Sequence, residues 1–440
     1  MDAGACEDRP GMTSPDGPPV APIAVVPTAV APTATRILPI PAVSSETRTW
    51  IPSNPGLHSR AEVRRQTGSY ESTIPARIGD WAPVLSSDLG ADIEDATRAL
   101  VNFDQYTMSA LGPDAAAISP MSAILLRTES SSSSQIENLT VSARQLALAE
   151  IGAGESPNSR TVLGNVRAME AAVALADDLS PETILTMHRE LLRHQPRMEA
   201  HAGRFREELV WIGKGSAGPR QADFVAPQPH RIRAALEDLI LFADRPDLPV
   251  LMQIAVSHAQ FETIHPFVDG NGRTGRALVQ ALLRTTGIAS RSTVPLSAGL
   301  LTDTDGYFSA LTSFRAGEAE PIVRVFARAA RYAAHSGRAL VDELSAQLAD
   351  SRDRLAGIRQ HAVAWQVIPR LLGQPVVDSA YVQQTLAVSA VTANRALELL
   401  VDRGVLTERT GKRRGRVWQH AGILEALDRY AEEIRRPGQR

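Results

Sequence analysis

Twelve consecutive residues, His265 to Arg276, carry most of the recognisable chemistry of this 440-residue chain. They read His-Pro-Phe-Val-Asp-Gly-Asn-Gly-Arg-Thr-Gly-Arg and so combine an imidazole, a carboxylate, three glycines and two guanidinium groups. An imidazole titrates near neutral pH and can take a proton from an attacking hydroxyl. Two guanidinium groups suit bidentate contact with phosphate oxygens. The stretch therefore indicates a site that holds a metal-bound triphosphate and transfers part of it to a hydroxyl.

The acidic residue, the glycines and the arginines each fit one part of that task. Asp269 is a hard oxygen ligand of the kind that Mg²⁺ uses alongside substrate phosphates. Gly270 and Gly272 let the backbone approach phosphate and take positive φ at little cost. Arg273 and Arg276 are three residues apart, so on a helix they project from the same face. A lone Gly-x-Gly is usually only a turn before a helix, but here eight specified positions coincide.

The flanking sequence predicts that these residues lie between two helices. Apolar residues at three- and four-residue spacing predict a helix over residues 250–264, which Pro266 should end. A second apolar stripe predicts a helix that begins inside or just after residues 270–273 and stops near Gly287. The N-terminus of the second helix would offer unpaired N–H groups to an anion. Asn271 would donate its amide N–H to a phosphoryl oxygen.

The motif resembles, position for position, the active-site signature of Fic-domain proteins, which transfer a nucleotide monophosphate to side-chain hydroxyls of other proteins. The resemblance implies attack of a Tyr, Ser or Thr hydroxyl on the α-phosphorus of ATP, with Mg²⁺ bound and pyrophosphate leaving. It implies that His265 is the general base, that Asp269 binds Mg²⁺ and that Arg276 meets the γ-phosphate. The α- and β-phosphates would be held by Gly270, Asn271, Gly272 and Arg273. Another nucleotide donor, or a kinase-like transfer of the γ-phosphate, stays open.

Segments on both sides of the motif extend the resemblance over residues 69–330. The family's target-docking flap would be a hairpin whose strands contain Val210, Trp211, Ile212, Phe224 and Val225. Such an edge hairpin can pair its main chain with an extended target segment. Tyr307 falls where family members have an aromatic residue near the adenine, and residues 70–104 resemble the family's N-terminal helical segment.

Residues 133–138, Ser-Ser-Gln-Ile-Glu-Asn, match an inhibitory pattern of the family: Ser or Thr, three residues, Glu, then Gly or Asn. The resemblance implies that Glu137 pairs with Arg276 and occupies the place of the γ-phosphate. Ser133 and Glu137 are four residues apart, which places them on one helix face. The preceding serines would cap the helix that carries Glu137. A chance match within a serine run is the alternative, and a role of Glu137 in removing AMP from targets stays open.

Composition gives the outline of the rest of the chain. The net charge is −3, so there is no overall attraction to nucleic acid or membrane. Cys6 is the only cysteine, which excludes an intrachain disulfide and a cysteine-based metal cluster. Neither a secretory signal nor a membrane span is expected, so we expect a cytoplasmic protein. Eleven of the 29 prolines precede residue 56, which predicts a disordered tail over residues 1–65.

Residues 376–419 predict helix, turn, helix and hairpin, which resembles the winged helix-turn-helix domain that some Fic proteins carry at this end. The hairpin turn contains Lys412, Arg413 and Arg414, which would contact DNA phosphates. A protein-interaction or dimerisation module with a solvated basic turn is the alternative. The same residues support a second hypothesis for the whole chain, a DNA-binding transcriptional regulator whose core only senses nucleotide.

Together these patterns predict a mostly α fold: a Fic-type helical bundle with a β-hairpin flap and a small C-terminal winged helix-turn-helix domain. We expect an N-terminal helical segment with the inhibitory helix at residues 66–160, the catalytic core at 161–335, and a connector helix with the winged helix at 336–440. The partner would be a target protein with an exposed hydroxyl, the chain itself included, and a homodimer is left open. His258 and Glu262 are expected to be helix-packing residues with satisfied hydrogen bonds, and His188 a core residue.

Overall fold

The described residues of the computed structural model are 38–52, 55–111, 115–154, 156–213, 217–409 and 415–435. They begin with an antiparallel hairpin of β1 (Ser44–Trp50) and β2 (Gly68–Ile74). The segment between these strands contains α1 (Arg60–Gln66), and the Ser59 hydroxyl caps its N-terminus. Folded structure therefore starts well before the helical body of the protein.

Helices form that body, and a second hairpin interrupts them. The helices before this hairpin are α2 (Ser87–Ala110), α3 (Ala115–Ile136), α4 (Ala143–Glu150), α5 (Pro157–Ala174) and α6 (Pro181–Leu192). The hairpin itself pairs β3 (Trp211–Gly213) with β4 (Ala222–Val225). The helices after it are α7 (Ile232–Ala243), α8 (Val250–Ile264), α9 (Asn271–Thr285), α10 (Leu296–Leu301), α11 (Thr304–Arg315) and α12 (Glu320–Arg354).

Helix α8 lies at the centre of the body and is buried on every side. Residues 251–264 are all buried, and α8 packs against α7, α9, α11 and α12. The 35-residue helix α12 runs along α2 and α10 and leads to the C-terminal part of the chain. A helix that is enclosed all round belongs to the core of a large domain. This frame fixes the end of α8, where the predicted phosphate-handling loop begins.

The C-terminal part contains a small antiparallel sheet and several helices. In chain order these are α13 (Val363–Gly373), β5 (Val376–Asp378), α14 (Ser379–Leu386), α15 (Ala390–Asp402), β6 (Thr407–Glu408), β7 (Val417–Gln419) and α16 (Ala421–Arg435). The strand order in the sheet is β5-β7-β6. Helix, turn, helix and hairpin follow one another as the sequence predicted, and the identification as a winged helix stays a prediction. Lys412, Arg413 and Arg414 lie outside the described residues.

The predicted fold class, mostly α with a β-hairpin, is confirmed. The predicted disordered tail over residues 1–65 is wrong for the part from residue 38 onward. The Trp81 indole N–H donates to Pro39 O at 3.0 Å, and the Ala319 N–H donates to Leu38 O at 2.9 Å. Proline is compatible with extended edge segments, so its abundance was a poor guide to this boundary. Residues 1–37 lie outside the described residues.

The described helices include none that is long and apolar enough to cross a bilayer. The segment expected to be helical from residue 66 onward begins instead with β2. Strands β1 and β2 are mostly polar, and Trp50 and Tyr70 are among their few apolar side chains. So few apolar residues do not produce the alternation from which a strand is predicted. The first hairpin is therefore an element that the sequence did not predict.

Candidate active site

The signature loop, residues 265–276, is held in shape from the inside. Asn271 accepts the Phe267 N–H and donates its Nδ2–H to Phe267 O, both at 2.9 Å. The buried Phe267 ring stacks on His188 with centroids 3.6 Å apart. His188 Nδ1 accepts the Gly203 N–H at 3.1 Å, so its Nε2 carries the proton and donates to Asp269 O at 3.0 Å. His188 is thus a buried support for the loop.

The side chain of Asn271 differs from our expectation. We expected its amide to reach a phosphoryl oxygen, but both ends of the amide are engaged by Phe267. Asn271 is also the first residue of α9, where backbone N–H groups have no partner within the helix. Its backbone N–H is therefore the group that remains for an anion.

His265 ends α8 in the left-handed region, at φ 49° and ψ 61°. This conformation costs a non-glycine residue about 1–2 kcal/mol, and Pro266 prevents the helix from continuing. The imidazole is half-buried, its Nδ1 is buried without a hydrogen-bond partner, and its ring meets that of Phe224 edge-on at 6.3 Å. Burial, followed by the charge of Arg206, lowers the pKa of His265 to about 4. The imidazole is therefore neutral at pH 7 and able to accept a proton.

Arg206 connects this histidine to the β3–β4 hairpin. Its buried guanidinium donates Nε–H to His265 O at 2.8 Å, Nη1–H to Glu208 O at 3.0 Å and Nη2–H to Pro227 O at 2.7 Å. Glu208 precedes β3 and Pro227 follows β4. No role for Arg206 could be predicted from the sequence, because its partners are backbone carbonyls far apart in the chain. An arginine shortly before a predicted hairpin was the only signal available.

At the other end of the loop, Arg273 projects from the first turn of α9. It donates Nη2–H to Asp269 Oδ2 at 3.1 Å and Nε–H to Glu137 Oε2 at 3.2 Å. Its Nη1 is buried and has no hydrogen-bond partner. An unpaired guanidinium nitrogen beside a helix N-terminus suits a phosphate oxygen. Gly270, at φ 82°, takes the left-handed turn that opens this helix.

Asp269 fits the expected Mg²⁺ ligand in chemistry and in accessibility. Its side chain is 47% exposed and lies beside Arg273. Mg²⁺ usually binds through one or two carboxylates together with waters and substrate phosphates. The described part of the chain has no group of three or more His, Cys, Asp or Glu side chains placed to hold a metal ion. The residues therefore fit an ion that arrives with phosphate, and not an all-protein metal site.

Arg276 is occupied by the inhibitory segment, residues 133–138. It donates Nη2–H to Glu137 Oε1 at 2.7 Å and to Ser133 O at 2.9 Å, and Nε–H to Ser133 Oγ at 2.8 Å. Burial is the largest single influence and lowers the pKa of Arg276, but the charges of Glu137, Tyr307 and Glu262 together outweigh burial and raise it. A phosphate group could reach Arg276 only by displacing the carboxylate of Glu137, since the two anions repel each other. An added Cβ at Gly272 would also collide with the Glu137 carboxylate.

We expected Glu137 to lie within a helix. Instead it follows Ile136, the last residue of α3, and occupies the C-terminal cap position. The Leu139 N–H donates to Ser134 O at 3.0 Å and the Asn138 N–H donates to Gln135 O at 2.9 Å, with Asn138 at φ 62°. These bonds form a Schellman arrangement, which requires a left-handed residue after the cap. Asn tolerates that conformation. The physical meaning of the last position of the inhibitory pattern is therefore to end the helix at the glutamate.

The serine run does not cap the start of a helix, contrary to our expectation. Ser130 and Ser134 lie in the last turns of α3 and donate their hydroxyls to carbonyls four residues earlier, at 2.8 and 2.9 Å. Asn165 of α5 donates to Ser130 O at 2.9 Å. Glu129 accepts the Ser297 N–H at 2.8 Å and the Ser297 hydroxyl at 2.6 Å. Helix α3 is therefore anchored on both sides, and Glu137 is the end of a firmly packed helix.

Tyr307 does not line an open pocket for adenine. It is 1% exposed, its hydroxyl lies 2.7 Å from His258 Nε2, and its ring stacks near the His258 ring at 5.9 Å. His258 and Glu262 are buried, as expected, but His258 Nδ1 and Glu262 Oε1 have no hydrogen-bond partner. Burial raises the pKa of Glu262 to about 7 and lowers that of His258 to about 3. Tyr307 therefore belongs to a buried polar cluster behind Arg276.

The predicted hairpin is present as β3–β4, and its role as a target-docking flap stays a prediction. Trp211 pairs with Val225 and Ile212 with Phe224, with an irregular register after Ile212. Ile212 is 45% exposed, whereas Phe224 and Val225 are buried. Val210 accepts the Ala226 N–H at 3.1 Å just outside the strands. The structure therefore brings Phe224 to His265 and leaves Ile212 on the outer side.

The β1–β2 hairpin packs against the β3–β4 hairpin. This contact was not predicted from the sequence. The Trp50 and Trp211 rings meet at 5.4 Å, and the Trp50 indole N–H donates to Ala217 O at 2.9 Å. The Ser72 hydroxyl donates to Ala226 O at 3.0 Å. Polar residues of β2 and the aromatic end of β1 thus hold the base of the flap.

Comparisons with known proteins find matches to one family. Residues 178–283 match the Fic/DOC family, and residues 91–174 match the Fic/DOC family N-terminal region. The protein adenylyltransferase Fic of Nematostella vectensis is 30% identical over 156 residues, which are 35% of this chain and 33% of that protein. The protein adenylyltransferase fic-1 of Caenorhabditis elegans is 28% identical over 155 residues, which are 34% of this chain and 27% of that protein.

A solved Fic family protein from Desulfovibrio desulfuricans G20 is similar with a TM-score of 0.47 at 20% identity, over 77% of this chain and 97% of that one. The chain spans at most a third of the length of the two curated relatives. The two family matches follow one another from α2 to α9 and include the signature loop as well as the inhibitory segment. The chain therefore contains a Fic/DOC domain at residues 178–283, preceded by a Fic/DOC N-terminal region at residues 91–174.

Proposed function

We propose that this protein transfers AMP from ATP to a Tyr, Ser or Thr hydroxyl of a target protein, and that Glu137 keeps this activity low. The proposal is carried by one observation: a single loop has a neutral imidazole at one end and a two-arginine anion site at the other. Both curated relatives are named protein adenylyltransferases. The distance between proton acceptor and anion site is then set by the loop itself.

In the proposed reaction one bond forms and one breaks. The target hydroxyl oxygen bonds to the α-phosphorus while the bond from that phosphorus to the oxygen bridging to the β-phosphorus breaks, and pyrophosphate leaves. His265 takes the hydroxyl proton. The start of α9 and Arg273 hold the charged phosphate oxygens, with Arg273 Nη1 available for one of them. Asp269 would hold Mg²⁺, which when bound offsets the negative charge of the phosphates.

Inhibition follows from the occupancy of Arg276. Its Nε and Nη2 donors go to Ser133 and Glu137, and its side chain is 3% exposed. ATP that binds without reaching Arg276 lacks the contact that orients its terminal phosphate. Misplacement of about 1 Å at the reacting centre can cost roughly 10²-fold in rate. Wild-type protein should therefore bind ATP weakly, or bind it with the α-phosphorus out of line with the hydroxyl.

The test is transfer of label from α-phosphate-labelled ATP with Mg²⁺, with the protein alone and with cell lysate. Three proteins are compared: wild type, Glu137→Gly, and Glu137→Gly with His265→Ala. We expect label in the Glu137→Gly sample that disappears with His265→Ala. Label from γ-phosphate-labelled ATP would identify a kinase-like reaction instead. No label in any sample would overturn the proposal and favour nucleotide sensing.

We also propose DNA contact through the C-terminal part, on the basis of its element order and of the β5-β7-β6 sheet. The exposed face of α15 presents Val391 and Arg395, side chains of the kinds that contact thymine methyl groups and guanine or phosphate. DNA binding that weakens steeply with salt and is lost in Arg413→Ala/Arg414→Ala protein would support it. Equal binding by that variant, or none by wild type at low salt, would favour a protein-interaction module.

A further inference from the structure

Arg206 is a buried cation whose hydrogen-bonding capacity goes to backbone carbonyls. Its guanidinium reaches His265 O, Glu208 O and Pro227 O at 2.8, 3.0 and 2.7 Å, and its own N–H donates to Pro266 O at 3.0 Å. Burial lowers the pKa of Arg206 to about 10, so the group is still charged at pH 7. Burying a charged guanidinium is costly unless its donors are satisfied.

The three carbonyls belong to the parts that the proposed reaction must bring together. His265 O is the carbonyl of the general base itself, on a residue held at φ 49°. Glu208 O lies where the chain enters the β3–β4 hairpin, and Pro227 O lies where the chain leaves it. The forked, planar guanidinium fixes these carbonyls relative to one another, which a single-nitrogen cation cannot do.

We infer that Arg206 is the positioning residue that sets the general base, His265, against the hairpin on which the target segment docks. The inference rests on the proposed function. It separates two demands on the site: Arg273 and Arg276 position the nucleotide, whereas Arg206 positions the accepting hydroxyl relative to its base. Loss of Arg206 should therefore reduce the rate of transfer and leave ATP binding intact.

The charge of Arg206 acts on the same histidine. Besides burial, the charges of Arg206 and Arg315 lower the pKa of His265, whereas the charge of Asp269 and a hydrogen bond with the backbone of Glu262 raise it. Burial is the largest influence and Arg206 is the second. Arg315 lies 3.9 Å above the Phe224 ring, which in turn meets His265 edge-on. A neutral residue at position 206 should therefore raise the pKa of His265, whereas a lysine should not.

The experiment uses full-length protein carrying Glu137→Gly, with Arg206→Lys or Arg206→Met added. Arg245→Lys is the matched control, because the Arg245 guanidinium also donates to backbone carbonyls, those of Gly79 and Trp81, away from the loop. Three quantities are measured: label transfer from α-labelled ATP to the chain itself and to lysate, the Kd of ATP with Mg²⁺, and the pKa of His265 by NMR titration.

We expect label transfer to fall by about 10²-fold in both Arg206 variants with little change in the Kd of ATP. The pKa of His265 should rise in Arg206→Met and stay low in Arg206→Lys. Transfer by Arg206→Lys equal to that of Arg245→Lys would overturn the positioning role. A parallel loss of ATP binding would also overturn it, by making Arg206 a general structural residue.

Two failures can be told apart. If the Glu137→Gly protein transfers no label at all, the proposed function is wrong, whereas the His265 titration still tests the electrostatic part for Arg206. If Arg206→Met does not fold, Arg206→Lys still compares rate with ATP affinity. An unchanged His265 pKa in a folded Arg206→Met protein would refute the electrostatic part alone.

Discussion

The two ends of the signature loop are built in opposite ways. At the His265 end, the backbone is fixed by Arg206 and the imidazole is left with an unpartnered Nδ1. At the Arg276 end, the guanidinium is already paired with Glu137 and Ser133 from another part of the chain. The chemistry at the hydroxyl end is preassembled, whereas the phosphate end is closed. In the proposed function, inhibition would therefore act on nucleotide binding and leave the geometry around His265 in place.

The two ends of the loop also differ in charge: His265 is neutral, whereas Arg276 is a cation paired with a carboxylate. Burial and nearby cations keep His265 uncharged. At the other end the charges of Glu137, Tyr307 and Glu262 together outweigh burial and raise the pKa of Arg276. A charge-assisted hydrogen bond contributes about 1.5–3 kcal/mol, so the inhibitory contacts amount to a substantial energy that ATP must replace. We expect that a substitution at one end of the loop leaves the behaviour of the other end unchanged.

The largest effect is expected from removing the base. In Glu137→Gly protein, His265→Ala should reduce AMP transfer by about 10²–10⁴-fold, which is the usual contribution of general base catalysis. The Kd of ATP should stay within about twofold, since no phosphate contact is lost. Calorimetric titration with ATP and Mg²⁺ measures the Kd, and the transfer assay measures the rate in the same two proteins. A large loss of ATP binding would mean that the two ends are not independent.

Glu137→Gln should have the next largest effect. It keeps the shape of the side chain and removes its charge, so ATP affinity should rise by about 10–10²-fold, from the loss of one or two charge-assisted bonds. Without ATP the protein should melt at a lower temperature, because Arg276 is left buried without its anion. ATP with Mg²⁺ should restore the Tm. Glu94→Gln, which breaks a surface pair with Arg98, is the control and should change neither quantity. An unchanged ATP affinity in Glu137→Gln would contradict the assignment of the inhibitory segment.

The pH dependence of transfer should report the lowered pKa of His265. With a pKa of about 4, the imidazole stays neutral down to about pH 5, so the rate in Glu137→Gly protein should change little between pH 7 and pH 5. A histidine with the ordinary pKa near 6.5 would lose roughly 30-fold over that range. An acid limb centred near pH 6.5 would show that the imidazole is more solvated than its surroundings indicate.

The same shifts have a consequence for stability, and circular dichroism must accompany the rates. His188 and His265 both have a folded pKa of about 4, below the value of the unfolded chain. The unfolded state therefore binds more protons between pH 6.5 and pH 4. Their contribution to stability is present above pH 6.5 and is lost as the pH falls through that window towards 4. Unfolding at pH 5 would have to be separated from loss of the base.

Ser133→Ala should have the smallest effect. It removes the hydroxyl that accepts Arg276 Nε–H and leaves the Ser133 carbonyl and Glu137 in place. One hydrogen bond of about 0.5–1.5 kcal/mol corresponds to a rise in ATP affinity of roughly twofold to tenfold. Ser131→Ala, on the same helix but without a bond to Arg276, is the control. An effect of Ser133→Ala as large as that of Glu137→Gln would mean that the serine holds the whole segment in place.

The sequence predicted the residues whose roles depend on local spacing. His265, Asp269, Arg273 and Arg276 lie within one turn-and-helix segment, and their proximity follows from the chain itself. The pairing of Glu137 with Arg276 followed from the family resemblance, and its geometry could not be derived from spacing. The helix end at Asn138 was missed because the serine run resembles a helix start as much as a helix interior.

The sequence could not predict roles that depend on distant backbone. Arg206 donates hydrogen bonds to the carbonyls of residues 208, 227 and 265. Every residue has a backbone carbonyl, so the residue types do not show which ones an arginine will reach. We expected the Asn271 amide to bind phosphate. Its actual partner is the backbone of Phe267, which the sequence pattern does not reveal. Tyr307 was expected near adenine from its place in the family, and only packing shows that it is buried. Strand β1 was missed because the proline content before residue 56 predicted disorder, and β2 was missed because residues 70–104 resemble the family's N-terminal helical segment.

Glu137 lies directly after the last turn of α3, which determines how the proposed inhibition would be released. Terminal turns open locally at a much lower free energy than packed helix interiors. The body of α3 is anchored through Glu129 and Ser130, so we expect opening to be confined to the final turn. Basal activity would then measure the fraction of time that one helical turn is open. Across variants, amide exchange at Asn138 and Leu139 should become faster in proportion to activity. Activity would then vary continuously with the open fraction of this turn and would not switch between two levels.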